Sequence, residues 1–122
     1  MDSIVFTIDM NPVPKGRPRF GNGHAYTPKA TLDYEKYVAA IAGIYMRGEY
    51  FETELLALTI HFRRKGKRLC DIDNLIKAFL DAGNGVIWKD DTQIRQITAR
   101  LDYGHDTGET RIEISVLPES RK

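Results

Sequence analysis

The sequence holds a single cysteine, Cys70, so no disulfide can close within the chain and the stapled scaffold of small secreted proteins is excluded. Long apolar runs are also missing. None approaches the roughly 20 residues that cross a bilayer, and the opening MDSIVFTIDM has no basic segment of the kind that begins a secretion signal. These absences lead to the expectation of a cytoplasmic protein with no membrane association. The only histidines are His24, His61 and His105, with no pairing at metal-ligand spacing, and one cysteine cannot build a zinc site. Net charge is scarce as well. A balance of +1 from 18 basic and 17 acidic residues argues against a protein that merely coats nucleic acid.

What is present is segregated along the chain. At 122 residues, 42% hydrophobic and 29% charged, the composition fits one globular domain spanning 1–122. Residues 10–70 carry eleven bases and five acids, whereas residues 71–122 carry seven bases and ten acids. A basic surface facing a compact acidic cluster suits a metal-dependent enzyme acting on phosphodiesters.

Ile4, Phe6 and Ile8 alternate with polar residues and predict a strand over 3–9. Residues 10–26, rich in proline and glycine, read as a long loop. Thr27 and Pro28 predict an N-cap and first helical residue, opening a helix to about Met46 whose core stripe is Tyr34, Tyr37, Val38, Ile41, Ile44 and Tyr45. Leu56, Leu58, Ile60 and Phe62 mark a second strand. Asp71 reads as the N-cap of a second helix, with Ile72, Leu75, Ile76, Phe79 and Leu80 inward and Gly83 or Gly85 as its stop. The remainder reads as a hairpin, Gln93–Tyr103 with Glu109–Leu117, bulged near Arg95 because Ile94 and Ile97 break the period of two. The predicted fold is α+β, a small mixed β-sheet packed with two helices.

Three carboxylates carry the chemistry. Asp71 and Asp73 sit two apart at a helix start, and Asp91 comes eighteen residues later, with Asp90 beside it. Three oxygen donors converging off a helix N-terminus suit Mg²⁺, with Mn²⁺ able to substitute, since both are hard ions that keep several waters. Lys77, one turn after Asp73, is placed to neutralise charge developing on a phosphorane. The competing readings are structural: Asp71 as a cap, Asp73 as a first-turn acid, Asp90 and Asp91 as a solvated turn, and Asp73, Lys77 and Asp81 as a surface ion ladder. Against them stands the neighbourhood. Arg63, Arg64, Lys65, Lys67 and Arg68 run directly up to the acids, and the early loop carries Lys15, Arg17, Arg19 and Lys29 with Phe20 and Tyr26 interleaved. Both segments are candidates for holding DNA phosphates, and the two aromatics for stacking on a base. Trp88 and Cys70 read as core residues.

The run Asp71-Ile-Asp73-Asn74-Leu75-Ile76-Lys77, with Leu80-Asp81, Gly85-Val86-Ile87 and Asp90-Asp91-Thr92-Gln93-Ile94 after it, resembles the RusA family of Holliday-junction resolvases of bacteria and phages. Lys15-Gly16-Arg17-Pro18-Arg19-Phe20 with Tyr26-Thr27-Pro28 looks like the amino-terminal motif of its phage-type branch, and the similarity spans about residues 4–117. The resemblance implies a homodimeric, Mg²⁺-dependent endodeoxyribonuclease, free of small-molecule cofactors, that binds four-way DNA junctions and nicks two opposed strands symmetrically in recombination and repair. It places the essential acids on Asp71, Asp73 and Asp91 and the lysine on Lys77, with Asn74 and Asp81 in support and Asp90 a possible sharer of the metal. A two-fold dimer is expected through the outer part of the second helix, around Phe79 and Leu80, or through a sheet edge. A non-catalytic branched-DNA-binding module and a nuclease for other branched nucleic acids are the alternatives.

Overall fold

The computed structural model describes residues 2–16, 19–21 and 23–121, with the side chains of residues 19 and 121 excepted. Its centre is set by the most strictly alternating segment of the sequence. Leu56, Leu58, Ile60 and Phe62 all lie buried on one face of strand β4 (Leu56–Lys65), which needs hydrogen-bonding partners along both edges. On one side β4 pairs antiparallel with β6 (Glu109–Val116), and on the other it pairs parallel with β5 (Ile94–His105). β1 (Ser3–Ile8) adds antiparallel to β6, so the mixed sheet runs β1-β6-β4-β5.

This order corrects the expected hairpin. β5 and β6 are consecutive in sequence, yet β4 lies between them. The step from His105 to Glu109 spans four peptide units, about 13 Å when extended, enough to cover two strand spacings of roughly 4.8 Å each. Insertion of β4 gives the most apolar strand two partners and leaves β5 at the sheet edge. The expected bulge is present: Leu56 pairs with Ile94 and Ala57 with Gln96, so Arg95 is the extra residue.

Helix α1 (Lys29–Met46) begins one residue later than the sequence suggests, with Pro28 as the N-cap and no side-chain cap bond from either Pro28 or Thr27. It ends as Arg47 and Gly48 turn left-handed, at φ 57° and 77°. Its buried row is narrower than expected. Tyr34, Val38, Ala42 and Met46 recur every four residues and are covered, whereas Tyr37, Ile44 and Tyr45 remain exposed. One i, i+4 row suffices because α1 packs chiefly on helix α2 (Ile72–Gly83) and on β1. In α2, Leu75, Ala78, Phe79 and Ala82 are buried, and Ile72, Ile76 and Leu80 are covered in part. Phe79 is therefore unavailable as an interface residue.

The early loop also departs from expectation. Within it a two-stranded ribbon forms, β2 (Arg19–Gly21) against β3 (His24–Tyr26), with Phe20 and Tyr26 on its exposed surface. The start of this segment is fastened to the body: Asn11 Oδ1 accepts the Lys65 amide at 2.8 Å, and the Lys15 amide donates to the Asn74 carbonyl at 2.8 Å. Among the described residues no helix is long and apolar enough to cross a membrane.

Candidate active site

Asp71 caps α2 with extended backbone dihedrals, φ −83° and ψ 131°, as the sequence predicts, but its carboxylate makes no capping bond. The side chain is exposed, and so is that of Asp73 in the first turn. Asp73 Oδ1 accepts only the adjacent Asn74 amide, at 3.0 Å. Lys77 is exposed one turn further on and forms no ion pair with Asp73 or Asp81 among the described residues, so the surface ladder does not exist. Among the described residues, two exposed carboxylates and an ammonium group thus stand without an ion-pair partner at a helix end whose dipole favours anions.

The residue before the acids is held by β5. Cys70 donates its amide to the Tyr103 hydroxyl at 3.1 Å, and that hydroxyl donates to the Cys70 carbonyl at 2.9 Å. Cys70 is half-buried rather than part of the core proper, and it lines a groove of about 580 Å³ beside the acids. Arg64 and Arg68 form the basic side of this groove, with Leu69, Pro28 and Thr31 around them. Arg64 Nη1 donates to the Arg68 carbonyl at 3.1 Å, folding the basic run back on itself. Lys65, Lys67 and Arg68 are exposed nearby.

Asp91 lies elsewhere. Gly83 ends α2 against the Trp88 ring, and its carbonyl accepts the Val86 and Ile87 amides at 3.0 and 2.8 Å. The chain then turns through Gly85 at φ 77° and buries Trp88 completely. Asn84 organises the approach to β5: its Oδ1 accepts the Trp88 indole N–H at 2.9 Å and the Asp91 amide at 3.0 Å, while its Nδ2 donates to Asp91 Oδ2 at 3.4 Å. A 3₁₀ turn over Asp91–Gln93 leads into β5. Asp90 caps that turn, its carboxylate accepting the Gln93 amide and the Thr92 hydroxyl. Gln93 is buried and uses its whole amide, accepting the Asp90 N–H and donating to the Phe51 and Glu54 carbonyls. The D-D-x-Q signature is in this respect a capping box, with Asp90 committed to structure and the Asp91 carboxylate lightly held.

The expected convergence of all three aspartates does not occur within one chain. Asp71 precedes α2 and Asp91 is bonded to Asn84, which comes just after it; twelve helical residues separate them, a distance of about 18 Å along the axis. The course of β5 gives the same answer, since Asp91 precedes its first residue and Tyr103, which grips Cys70, lies near its last. Among the described residues no three His, Cys, Asp or Glu side chains come close enough to hold a metal ion.

The other expected contributors are mostly paired. Lys15 is partly buried between the helices, its Nζ 2.8 Å from Glu35 and 3.0 Å from Asp81, and Asp81 is thereby engaged. Burial pulls the Lys15 pKa down, but hydrogen bonds and charges from Glu35 and Asp81 outweigh it and raise the pKa above its usual value. Lys29 is exposed and pairs with Asp33 at 2.7 Å. Arg63 pairs with Glu109 across β4 and β6 at 2.8 Å. Arg17 and the side chain of Arg19 lie outside the described residues. Tyr103 and Asn84 are the organisers that motif reading missed; Asn84 sits in a Gly-Asn-Gly triplet that looks like a plain turn.

A small mixed sheet backed by two helices, with free acids at a helix N-terminus beside an arginine-lined groove, defines a protein equipped to act on phosphate-bearing polymers. Residues 9–116 match the family Endodeoxyribonuclease RusA, and the chain belongs to that family of Holliday-junction-resolving endonucleases. It is also similar to the Uncharacterized protein YqaN of Bacillus subtilis (strain 168), 28% identical over 95% of this chain and 96% of that protein.

Proposed function

We propose that the protein is a Mg²⁺-dependent endodeoxyribonuclease that resolves four-way DNA junctions by paired, symmetric nicking, and that it acts as a homodimer. The observation that carries this reading is the idle state of Asp71 at a helix N-cap: its carboxylate makes no capping bond, beside an exposed Asp73 that accepts the Asn74 amide and an exposed Lys77. Such a pair fits Mg²⁺, which usually binds through one or two carboxylates with waters and substrate phosphates. Mn²⁺ is expected to substitute.

In this reading Asp71 and Asp73 hold the ion, and the third acid is Asp91 of the partner subunit, because the chain's own Asp91 stands at the far end of α2. When bound, the ion lowers the pKa of a water and polarises the phosphate. Arg64 and Arg68 orient the DNA backbone in the groove next to the acids, and Lys77 neutralises charge developing on the phosphoryl oxygens. Hydrolysis adds the water oxygen to phosphorus and breaks one P–O ester bond, leaving a nick. Two copies place two such sites in one complex, matching the two-fold symmetry of a junction. Lys65, Lys67, Arg68 and the Arg17–Arg19 segment extend the phosphate-binding surface.

The test is cleavage of a synthetic four-way junction with and without Mg²⁺. Wild type should release two symmetric nicks only with the metal, and Asp73→Asn should abolish cleavage while retaining junction binding and thermal stability. Metal-independent binding with no nicking by wild type would identify a non-catalytic junction-binding module instead. Preferential cutting of flaps or forks would identify a different branched substrate.

A further inference from the structure

The ribbon formed by β2 and β3 rises from the rim of the groove beside the acids. Its two legs meet at the base, where the Gly16 amide donates to Thr31 Oγ1 at 3.0 Å and a Cβ on Gly16 would lie 2.8 Å from Pro28 Cγ. Gly16, Pro28 and Thr31 all line that groove, together with Arg64 and Arg68. One residue earlier the Lys15 amide is bonded to the Asn74 carbonyl, so the base of the ribbon is fixed to the turn of α2 that bears Asp73. Above the base the ribbon carries two exposed rings. Phe20 is 83% exposed, and its cross-strand partner is Ala25, too small to shield it. Tyr26, 50% exposed, pairs with Arg19 and lies over Gly21, where a Cβ would come within 3.1 Å of the ring. Directly paired residues share a face and successive residues alternate, so the two rings stand on opposite faces of the ribbon.

We propose that this ribbon is a wedge for the branch point of DNA: Phe20 stacks on a base exposed where strands exchange, and Tyr26 offers a second stacking face on the other side. The proposal rests on the nuclease reading above and adds what the arginine-lined groove lacks, a means of telling a branch from continuous duplex. Contacts to phosphates position a protein on DNA but are available on any duplex. Within a duplex each base is stacked on both sides, so an exposed phenylalanine finds no free face; at a branch the stacks are interrupted and an aromatic ring can take the place of a neighbouring base. Charge selects the occupant. No acidic residue occurs between Met10 and Leu32, a stretch that holds Lys15, Arg17, Arg19 and Lys29, and this favours a polyanion over an apolar protein surface. Leu69, 79% exposed in the lining of the same groove, adds apolar surface beside Arg68 on which a displaced base can rest.

The test uses the full chain and a four-way junction carrying 2-aminopurine at the branch point, with Ca²⁺ in place of Mg²⁺ so that no strand is cut. Wild type should raise the fluorescence as the base leaves its neighbours; Phe20→Ala should abolish the rise and Phe20→Tyr should keep it. Junction affinity of Phe20→Ala should fall roughly tenfold, as for loss of one base–aromatic stack, with affinity for a linear duplex of the same length unchanged. Should that variant not fold by circular dichroism, Phe20→Leu, which keeps the apolar bulk without the flat ring, takes its place with the same expectations. An equal loss on junction and duplex would make Phe20 part of a general DNA surface, and no change on either would assign the ribbon to a protein partner. Either result overturns the proposal, as does a wild type that leaves the fluorescence unchanged. The two readings fail separately. A protein that unstacks the base yet never nicks in Mg²⁺ keeps the wedge and loses the nuclease function, whereas Mg²⁺-dependent nicking whose preference for junctions survives Phe20→Ala does the reverse.

Discussion

Asp71 stands where an aspartate normally accepts an amide hydrogen and contributes about 1 kcal/mol to a helix, yet it leaves that bond unmade. What fixes its place is the backbone on either side, and there Tyr103 has the leading part through its two bonds to Cys70. Tyr103→Phe removes both, with an expected stability loss of about 1 kcal/mol. The more diagnostic effect is on metal use: the Mg²⁺ concentration for half-maximal cleavage should rise roughly tenfold, as for other residues that orient metal ligands, while junction affinity measured in Ca²⁺ stays unchanged. An unchanged Mg²⁺ midpoint would make Tyr103 a purely structural clamp. At this scale the sequence already singled out these acids, because two aspartates and a lysine at helical spacing after a basic run form an unusual combination. It could not separate Asp90 from Asp91, since that division depends on which carboxylate receives the Gln93 amide.

Among the elements, the turn between α2 and β5 does the most to position Asp91, and Gly83 makes it possible. A Cβ there would lie 2.5 Å from Trp88 Cζ2. Gly83→Ala gains up to about 1 kcal/mol of helix propensity, but overpacking against a fully buried indole typically costs about 1–3 kcal/mol. A net loss in urea denaturation is expected, and an unchanged or raised midpoint would contradict the packing described. The sheet has its own pH signature. The Arg63 hydrogen bond to Glu109, aided by the Arg63 and Arg111 charges and opposed by burial, lowers the Glu109 pKa below its ordinary 4.5. A depressed carboxylate pKa gives stability that is present above the unfolded value and lost as pH falls through the folded one. Glu109→Gln should therefore lower stability at neutral pH and flatten its acid dependence below about pH 4.5; equal acid dependence in both proteins would show that Glu109 contributes nothing. Both helices and all four strands of the main sheet were legible from periodicity, within a few residues at their ends. The short ribbon Arg19–Gly21 with His24–Tyr26 was not, because three-residue strands in a proline- and glycine-rich stretch carry no periodic signal. Nor was the narrow burial of α1, which depends on how few neighbours that helix has.

For the whole molecule, strand order decides where the acids stand. Adjacent strands 5 and 6 read as a hairpin from sequence, and only the placement of β4 between them exposes β5 and sets Asp71 and Asp91 at opposite ends of the fold. Asp91 is tied through Asn84 to the end of α2, and Asp71 stands at the other end of that twelve-residue helix. In the proposed reading, self-association supplies the third acid as well as matching the substrate's symmetry. Mixing the inactive variants Asp73→Asn and Asp91→Asn tests this most directly. In a mixed dimer one site receives both substitutions and the other receives none, so the mixture should recover single-strand nicking of a four-way junction in Mg²⁺ that neither variant shows alone. If subunits exchange freely and the mixture stays inactive, Asp91 does not serve the partner's site and the composite centre is refuted.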